Sequence, residues 1–192
     1  MTEFELIGQL SKLLPLGEGV VTGVGDDCAV LDLGHPANYF LFKTDAAVEG
    51  IHFQRKSPPD KVGYKALARC LSDIAAMAGT PLHALVTLGL PNDYDANYVT
   101  AIYTGMRDLA ARFNVSIVGG ETTTNPERLL INIALIGPVP RGQQVLRSGA
   151  FAGDALFVTG ELGGSLEGRH LEFQPRLAEA IWLREHFEIH SM

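Results

Sequence analysis

Apolar positions along the chain follow two rhythms. In residues 3–14, Phe4, Leu6, Ile7, Leu10, Leu13 and Leu14 recur at helical spacing, which predicts a short amphipathic helix closed by Pro15. Pro58-Pro59-Asp60 opens a longer helix, from about Lys61 to Ala78. Val62, Leu67, Leu71, Ile74 and Ala78 mark its buried side, and Gly79-Thr80-Pro81 ends it. A third amphipathic stretch runs from Asp95 to Phe113. The other rhythm is that of strands: Cys28–Leu33, Tyr39–Thr44 ending at Asp45, Leu82–Leu90, Val115–Val118 entering Gly119-Gly120-Glu121, Leu129–Val139 and Ala155–Thr159. A short extended piece is expected at Val48–Phe53, and helical patterns return at Leu162–Leu171 and Arg176–His186. Strands and helices mix without strict alternation. The expected fold class is therefore α+β, with a mixed or antiparallel sheet carrying helices on one face.

Composition narrows the function classes. The 192 residues are 46% hydrophobic, enough to build a core rather than a disordered chain. The formal net charge of -7 speaks against a nucleic-acid partner, which needs a basic face. No apolar run approaches the ~20 residues that span a bilayer, so no membrane partner is expected. The acidic start, Met1-Thr2-Glu3, lacks a signal-peptide pattern. The two cysteines, Cys28 and Cys70, sit in apolar surroundings and build no disulfide framework. These features predict a cytoplasmic protein.

The chemistry lies in the placement of acids. Asp27, Asp45, Asp73 and Glu121 occupy separate segments, three of them at expected element boundaries, while Asp73 falls inside a helix beside Leu71 and Ile74. At an effective dielectric of about 20, two unit charges ~4 Å apart repel by about 4 kcal/mol, so acids brought together need cations. Oxygen ligands of this kind select hard ions, Mg²⁺ above all, and suggest metal-assisted phosphoryl transfer. Read singly, each acid is equally a cap, a turn former or a hydrogen-bonded side chain. Gly119-Gly120 allows either close phosphate approach or a break in a strand. His52, between Ile51 and Phe53, is either a phosphate contact or an ordinary histidine. There is no P-loop, dinucleotide fingerprint, zinc spacing or nucleophilic triad.

Several blocks resemble a known family. Val24-Gly25-Asp26-Asp27-Cys28-Ala29-Val30-Leu31 and Lys43-Thr44-Asp45-Ala46-Ala47-Val48-Glu49-Gly50-Ile51-His52-Phe53 are similar to the opening of thiamine-monophosphate kinases. Tyr64 to Ala68 leading into Leu71 to Met77, Val118 to Thr123, and Leu146 to Ala150 continue the likeness in order. The wider superfamily is that of aminoimidazole ribonucleotide synthetase, whose amino-terminal domain is an α+β unit that pairs its sheets in a homodimer. The resemblance implies ATP-dependent phosphorylation of thiamine monophosphate to thiamine diphosphate with several Mg²⁺ ions. It implies Asp27, Thr44, Asp45, Asp73 and Glu121 as metal ligands. Gly120, Glu121, Arg147 and Tyr103 would lie at ATP, and His52 at the thiamine phosphate. No catalytic residue is expected. A phosphate monoester has a second pKa of about 6, so at neutral pH it is already dianionic and needs charge neutralisation rather than a base.

Two residues depart from the family pattern. Glu121 stands where Asp is usual after the glycine pair, and Lys43 where many members carry Ser. Residues 1–150 are expected to form an ATP- and Mg²⁺-binding, dimerising domain. Residues 151–192 are expected to begin a truncated carboxy-terminal domain, leaving the chain inactive alone. The alternatives are another ATP-dependent synthetase of the superfamily and a non-catalytic dimerisation module.

Overall fold

A computed structural model describes residues 1–192. Its six-stranded sheet has the order β1-β2-β3-β6-β4-β5. The strands are β1 (Val20–Thr22), β2 (Ala29–Leu31), β3 (Asn38–Val48), β4 (His83–Leu90), β5 (Ser116–Thr124) and β6 (Leu130–Pro140). The helices are α1 (Glu3–Ser11), α2 (Pro59–Ala76), α3 (Ala96–Arg112) and α4 (Leu177–His186). All neighbouring strands are antiparallel except β4 and β5, which run parallel and are joined by the α3 crossover. The mixed sheet with its helix layer matches the expected α+β class. No helix is long and apolar enough to cross a membrane.

The core forms where the helix and strand periodicities meet. On β6, Ile131, Ile133 and Leu135 alternate with half-buried residues and point toward α2, whose Leu67, Leu71 and Ile74 are fully buried. Burial on this scale stabilises by about 1.5–3 kcal/mol for each large aliphatic side chain. α3 adds Ile102, Met106 and Leu109, and α4 adds Leu177 and Ala180 to the same core. Two glycines set the α2–α3 approach. A Cβ on Gly63 would stand 1.9 Å from the Ile102 carbonyl oxygen, and one on Gly105 would stand 1.9 Å from that of Asp60. The sheet's other face carries no helix and leaves Phe42 (46% exposed) and Leu85 (47%) in solvent.

Several expected boundaries shift, each for a physical reason. β3 does not end at Asp45 but runs to Val48, because β6 pairs with it along its whole length, from Asn38 opposite Pro140 to Val48 opposite Leu130. The Val48–Phe53 piece is correspondingly a turn, with Gly50 at φ +80. β5 continues through Gly119, Gly120 and Glu121, so the glycine pair is not a strand terminus. β1 lies hidden in a glycine-rich stretch. Residues 155–159 form no strand, since no neighbour offers them a ladder, and Leu156 and Phe157 are almost wholly exposed. Residues 162–171 yield only the short 3₁₀ turns Ser165–Glu167 and Arg169–Leu171. α1 forms with a capping box at Thr2, but its apolar side is exposed rather than buried.

Candidate active site

Alternation along β3 decides which side chains meet. Cross-strand partners share a face, so Lys43 opposite Leu135 and Asp45 opposite Ile133 both point toward the helices. Two charges on an inward face need partners, and α2 supplies them. Its Lys65, Arg69 and Asp73 recur every four residues, which puts them on one side of the helix. Asp73 Oδ2 lies 2.6 Å from Lys43 Nζ. Arg69 donates to Asp45 Oδ1 at 2.9 Å and to the Ala46 carbonyl at 2.9 Å. Strand cation thus meets helix anion, and strand anion meets helix cation.

Asp27 joins them from the loop before β2. Arg147 donates through Nε to Asp27 Oδ2 at 3.1 Å and through Nη2 to Oδ1. Asp26 orders this corner, accepting from the Asp27 amide at 2.9 Å and from the Arg147 amide at 3.1 Å. The charges act on one another. Burial pushes the Asp73 carboxyl above the usual carboxylate range; Lys43 offsets only part of this, and Asp45 and Asp27 add to it. Burial pulls the Lys43 ammonium down, but its bond to Asp73 and the nearby Asp45 more than restore it, leaving it raised. Both pKa values rise, for different reasons: the ammonium gains attraction from two acids, while the carboxylate is buried and faces two of its own sign. The Cys28 thiol, beside this cluster, is pushed up to about 12, first by burial and then by Asp73, so it remains a protonated core residue.

His52 sits on the turn after β3. Its Nδ1 accepts from the Val48 amide at 3.0 Å, which leaves the ring proton on Nε2 as a donor. Burial, then Arg69 and Lys65, hold its pKa below the ordinary value of 6.5 against Asp45, and the ring is neutral at pH 7. Lys65 is the single buried charged residue, and it has no carboxylate partner. It donates to the His52 carbonyl, and its Nζ lies 2.7 Å from His170 Nδ1.

The remaining expected site residues lie apart. Thr44 neighbours Asp45 in a strand and so points to the opposite face, where its hydroxyl donates to Asn132 Oδ1 at 3.0 Å. The ladder runs from Asp45 through Ile133 and Val86 to Gly120, three inter-strand steps or about 14 Å. Glu121 follows Gly120, is exposed, and stands beside Thr87. Gly120 has φ +153, and a Cβ there would lie 1.7 Å from the Val86 carbonyl oxygen, which gives this glycine a structural reason of its own. Tyr103 lies on α3, half-buried against the core, and burial raises its phenol pKa. Sequence reasoning named no role for Arg69, Lys65 or Asp26. The four-residue spacing of Lys65, Arg69 and Asp73 was the available signal for the first two.

Asp27, Asp45 and Asp73 suit a hard cation in donor chemistry, being oxygen ligands from three segments that already feel one another's charge. As they stand, no three His, Cys, Asp or Glu side chains come together in a metal-holding group. Each carboxylate is instead held by a side-chain cation.

Comparison with known proteins adds to this geometry. Residues 25–139 match the family described as AIR synthase related protein, N-terminal domain. The chain is 38% identical to the thiamine-monophosphate kinase of Bacillus subtilis (strain 168) over 172 residues, covering 89% of this chain and 53% of that protein. A solved structure of AaThiL complexed with AMPPCP and TMP superposes with a TM-score of 0.85 at 31% identity, covering 95% of this chain and 62% of that one. Thiamine monophosphate kinase from Aquifex aeolicus gives 0.78 at 29% identity, with 96% and 66% covered. The chain thus spans between half and two thirds of the length of these relatives.

Proposed function

The chain belongs to the AIR synthase related protein family through that family's N-terminal domain, and on this premise we propose that it is the metal- and phosphate-handling part of a thiamine-monophosphate kinase. The observation that carries the proposal is the convergence of Asp27, Asp45 and Asp73 from a loop, a strand and a helix, with Arg147 and His52 beside them. The relatives' names and the AMPPCP and TMP bound to AaThiL supply the reaction: transfer of the terminal phosphoryl group of ATP to the phosphate of thiamine monophosphate.

In this reading Asp27, Asp45 and Asp73 hold Mg²⁺, while Thr44 and Glu121, which stand apart on the sheet's other face and edge, would serve other ions. When bound, such ions would neutralise phosphate oxygens and bridge them to the protein. Arg147 is half-exposed and its guanidinium bonds only Asp27, so it would exchange that carboxylate for ATP phosphate oxygens, which offer the same bidentate geometry. Gly120 and Tyr103 would border the nucleotide. His52 offers Nε2–H as a neutral donor to the acceptor phosphate, which is itself the nucleophile and requires no base. The acceleration comes from positioning and charge neutralisation.

The proposal extends to organisation. Phe42 and Ile136 are register partners on the helix-free face, as are Ala134 and Leu85. This apolar strip supports a homodimer in which two such faces pack together. Residues 1–150 would act as the site-bearing domain and residues 151–192 as the lead into a second one, in a cytoplasmic enzyme.

Thermal shift of the purified chain with Mg²⁺ and a non-hydrolysable ATP analogue tests the site. Wild type is expected to gain stability with ligand, and Asp45→Asn and Asp73→Asn to lose that gain. An undiminished gain in both variants would remove these residues from the site. ATP consumption with aminoimidazole precursors but none with thiamine monophosphate, by the protein containing this chain, would favour the synthetase reading instead.

A further inference from the structure

We propose that Lys43 is a resident counter-ion of the carboxylate cluster, occupying by its ammonium a place at Asp73 that a divalent cation must take from it. The inference rests on the metal-binding reading above and adds a residue that opposes metal entry.

The argument begins with the balance of charge. Asp27, Asp45 and Asp73 are each paired with one side-chain cation, Arg147, Arg69 and Lys43, so none of the three stands uncompensated without metal. The three cations are not equally fixed. Arg69 is tied down by a second bond, to the Ala46 carbonyl, and Arg147 meets Asp27 through two nitrogens. The Lys43 ammonium meets one acceptor, Asp73, at 2.6 Å. It is a compact charge on a flexible four-carbon stem, able to withdraw without moving the backbone that β6 holds in register at Leu135. Lys43 and Asp73 side chains are only 21% and 22% exposed, so their attraction is weakly screened, and an incoming ion meets real competition. The same partial burial makes three acids with two cations unfavourable, so removal of Lys43 leaves a vacancy of charge that a divalent ion fills. Because the ammonium and the ion exclude each other at Asp73, the effect is reciprocal, as for any two ligands of one site.

The test compares wild type with Lys43→Met, which keeps the stem without the charge, and with Lys43→Arg, which keeps the charge. Free Mn²⁺ is measured by electron paramagnetic resonance, and melting temperature is followed in chelator and in Mn²⁺. Lys43→Met is expected to melt lower than wild type in chelator and to bind Mn²⁺ about fivefold or more tighter, regaining its stability with the ion. Lys43→Arg is expected to keep wild-type affinity, and Asp73→Asn to abolish the gain in the Lys43→Met background. Mn²⁺ bound by wild type but no tighter by Lys43→Met overturns the counter-ion role alone. No Mn²⁺ binding in either protein overturns the metal reading with it. Should Lys43→Met not fold, Lys43→Gln carries the same comparison, and folding of neither even in Mn²⁺ overturns the proposal, since the ion then fails to replace the ammonium.

Discussion

At the scale of the residue, His52 shows how a single bond prepares a side chain. The Val48 amide fixes the ring as the Nε2–H tautomer, while burial and the neighbouring Arg69 and Lys65 keep it neutral. A histidine whose folded pKa lies below its unfolded value binds fewer protons when folded. Its contribution to stability is therefore present above 6.5 and lost as pH falls through the lowered value. Nitrogen-15 NMR of the ring should give an apparent pKa below 6.5 and the Nε2–H form at neutral pH. A value above 6.5, or the Nδ1–H form, would contradict the geometry. Adjacent residues can also be divided by the backbone. Thr44 and Asp45 stand side by side in the chain yet serve opposite faces of the sheet, a consequence of strand pleating that sequence proximity alone conceals.

At the scale of the element, the α2–α3 contact depends on two glycines whose missing side chains let one helix meet the other's backbone. Gly105→Ala would drive a methyl into the Asp60 carbonyl and is expected to destabilise by about 1–3 kcal/mol, read from urea unfolding. Unchanged stability would mean that the helices separate freely. Elements whose pattern found a partner were legible in the sequence. The apolar run of Leu129–Val139 and the helical stripe of α2 face each other across the core. Ala155–Thr159 carried strand-forming residues but no neighbour, and α1 carried an apolar stripe that nothing covers. Intrinsic preference is local, whereas a strand's hydrogen bonds are supplied from elsewhere. The site divides in the same way. Asp73 stood out as an acid in apolar surroundings and Asp27 and Asp45 as acids at element boundaries, and the three lie near enough to feel one another's charge. Of their cations, Arg69 did not stand out, because it reads as an ordinary helix residue until the sheet beneath α2 is in place.

At the scale of the whole molecule, the two faces of the sheet have different fates. One is sealed by α2 and α3; the other presents Phe42 and Leu85 beside Ile136 and Ala134. If that face is the dimer interface, Phe42→Asp and Leu85→Asp should each shift sedimentation equilibrium toward monomer while leaving far-ultraviolet circular dichroism intact. A dimer that survives both changes would place the interface elsewhere.

The pairing of β3 with β6 has a kinetic side. Asn38 meets Pro140 and Val48 meets Leu130, so this ladder joins strands with α2, β4, α3 and β5 between them in the chain. Closing so long a loop costs entropy before any contact repays it, and chains rich in such contacts fold slowly. Local helices can form early; the ladder that brings Lys43 and Asp45 beneath α2 cannot. Until it closes, the acids and their cations are strangers in a flexible chain. The charge balance of the site is thus among the last things the folding molecule acquires, and among the first it loses when the centre of the sheet opens.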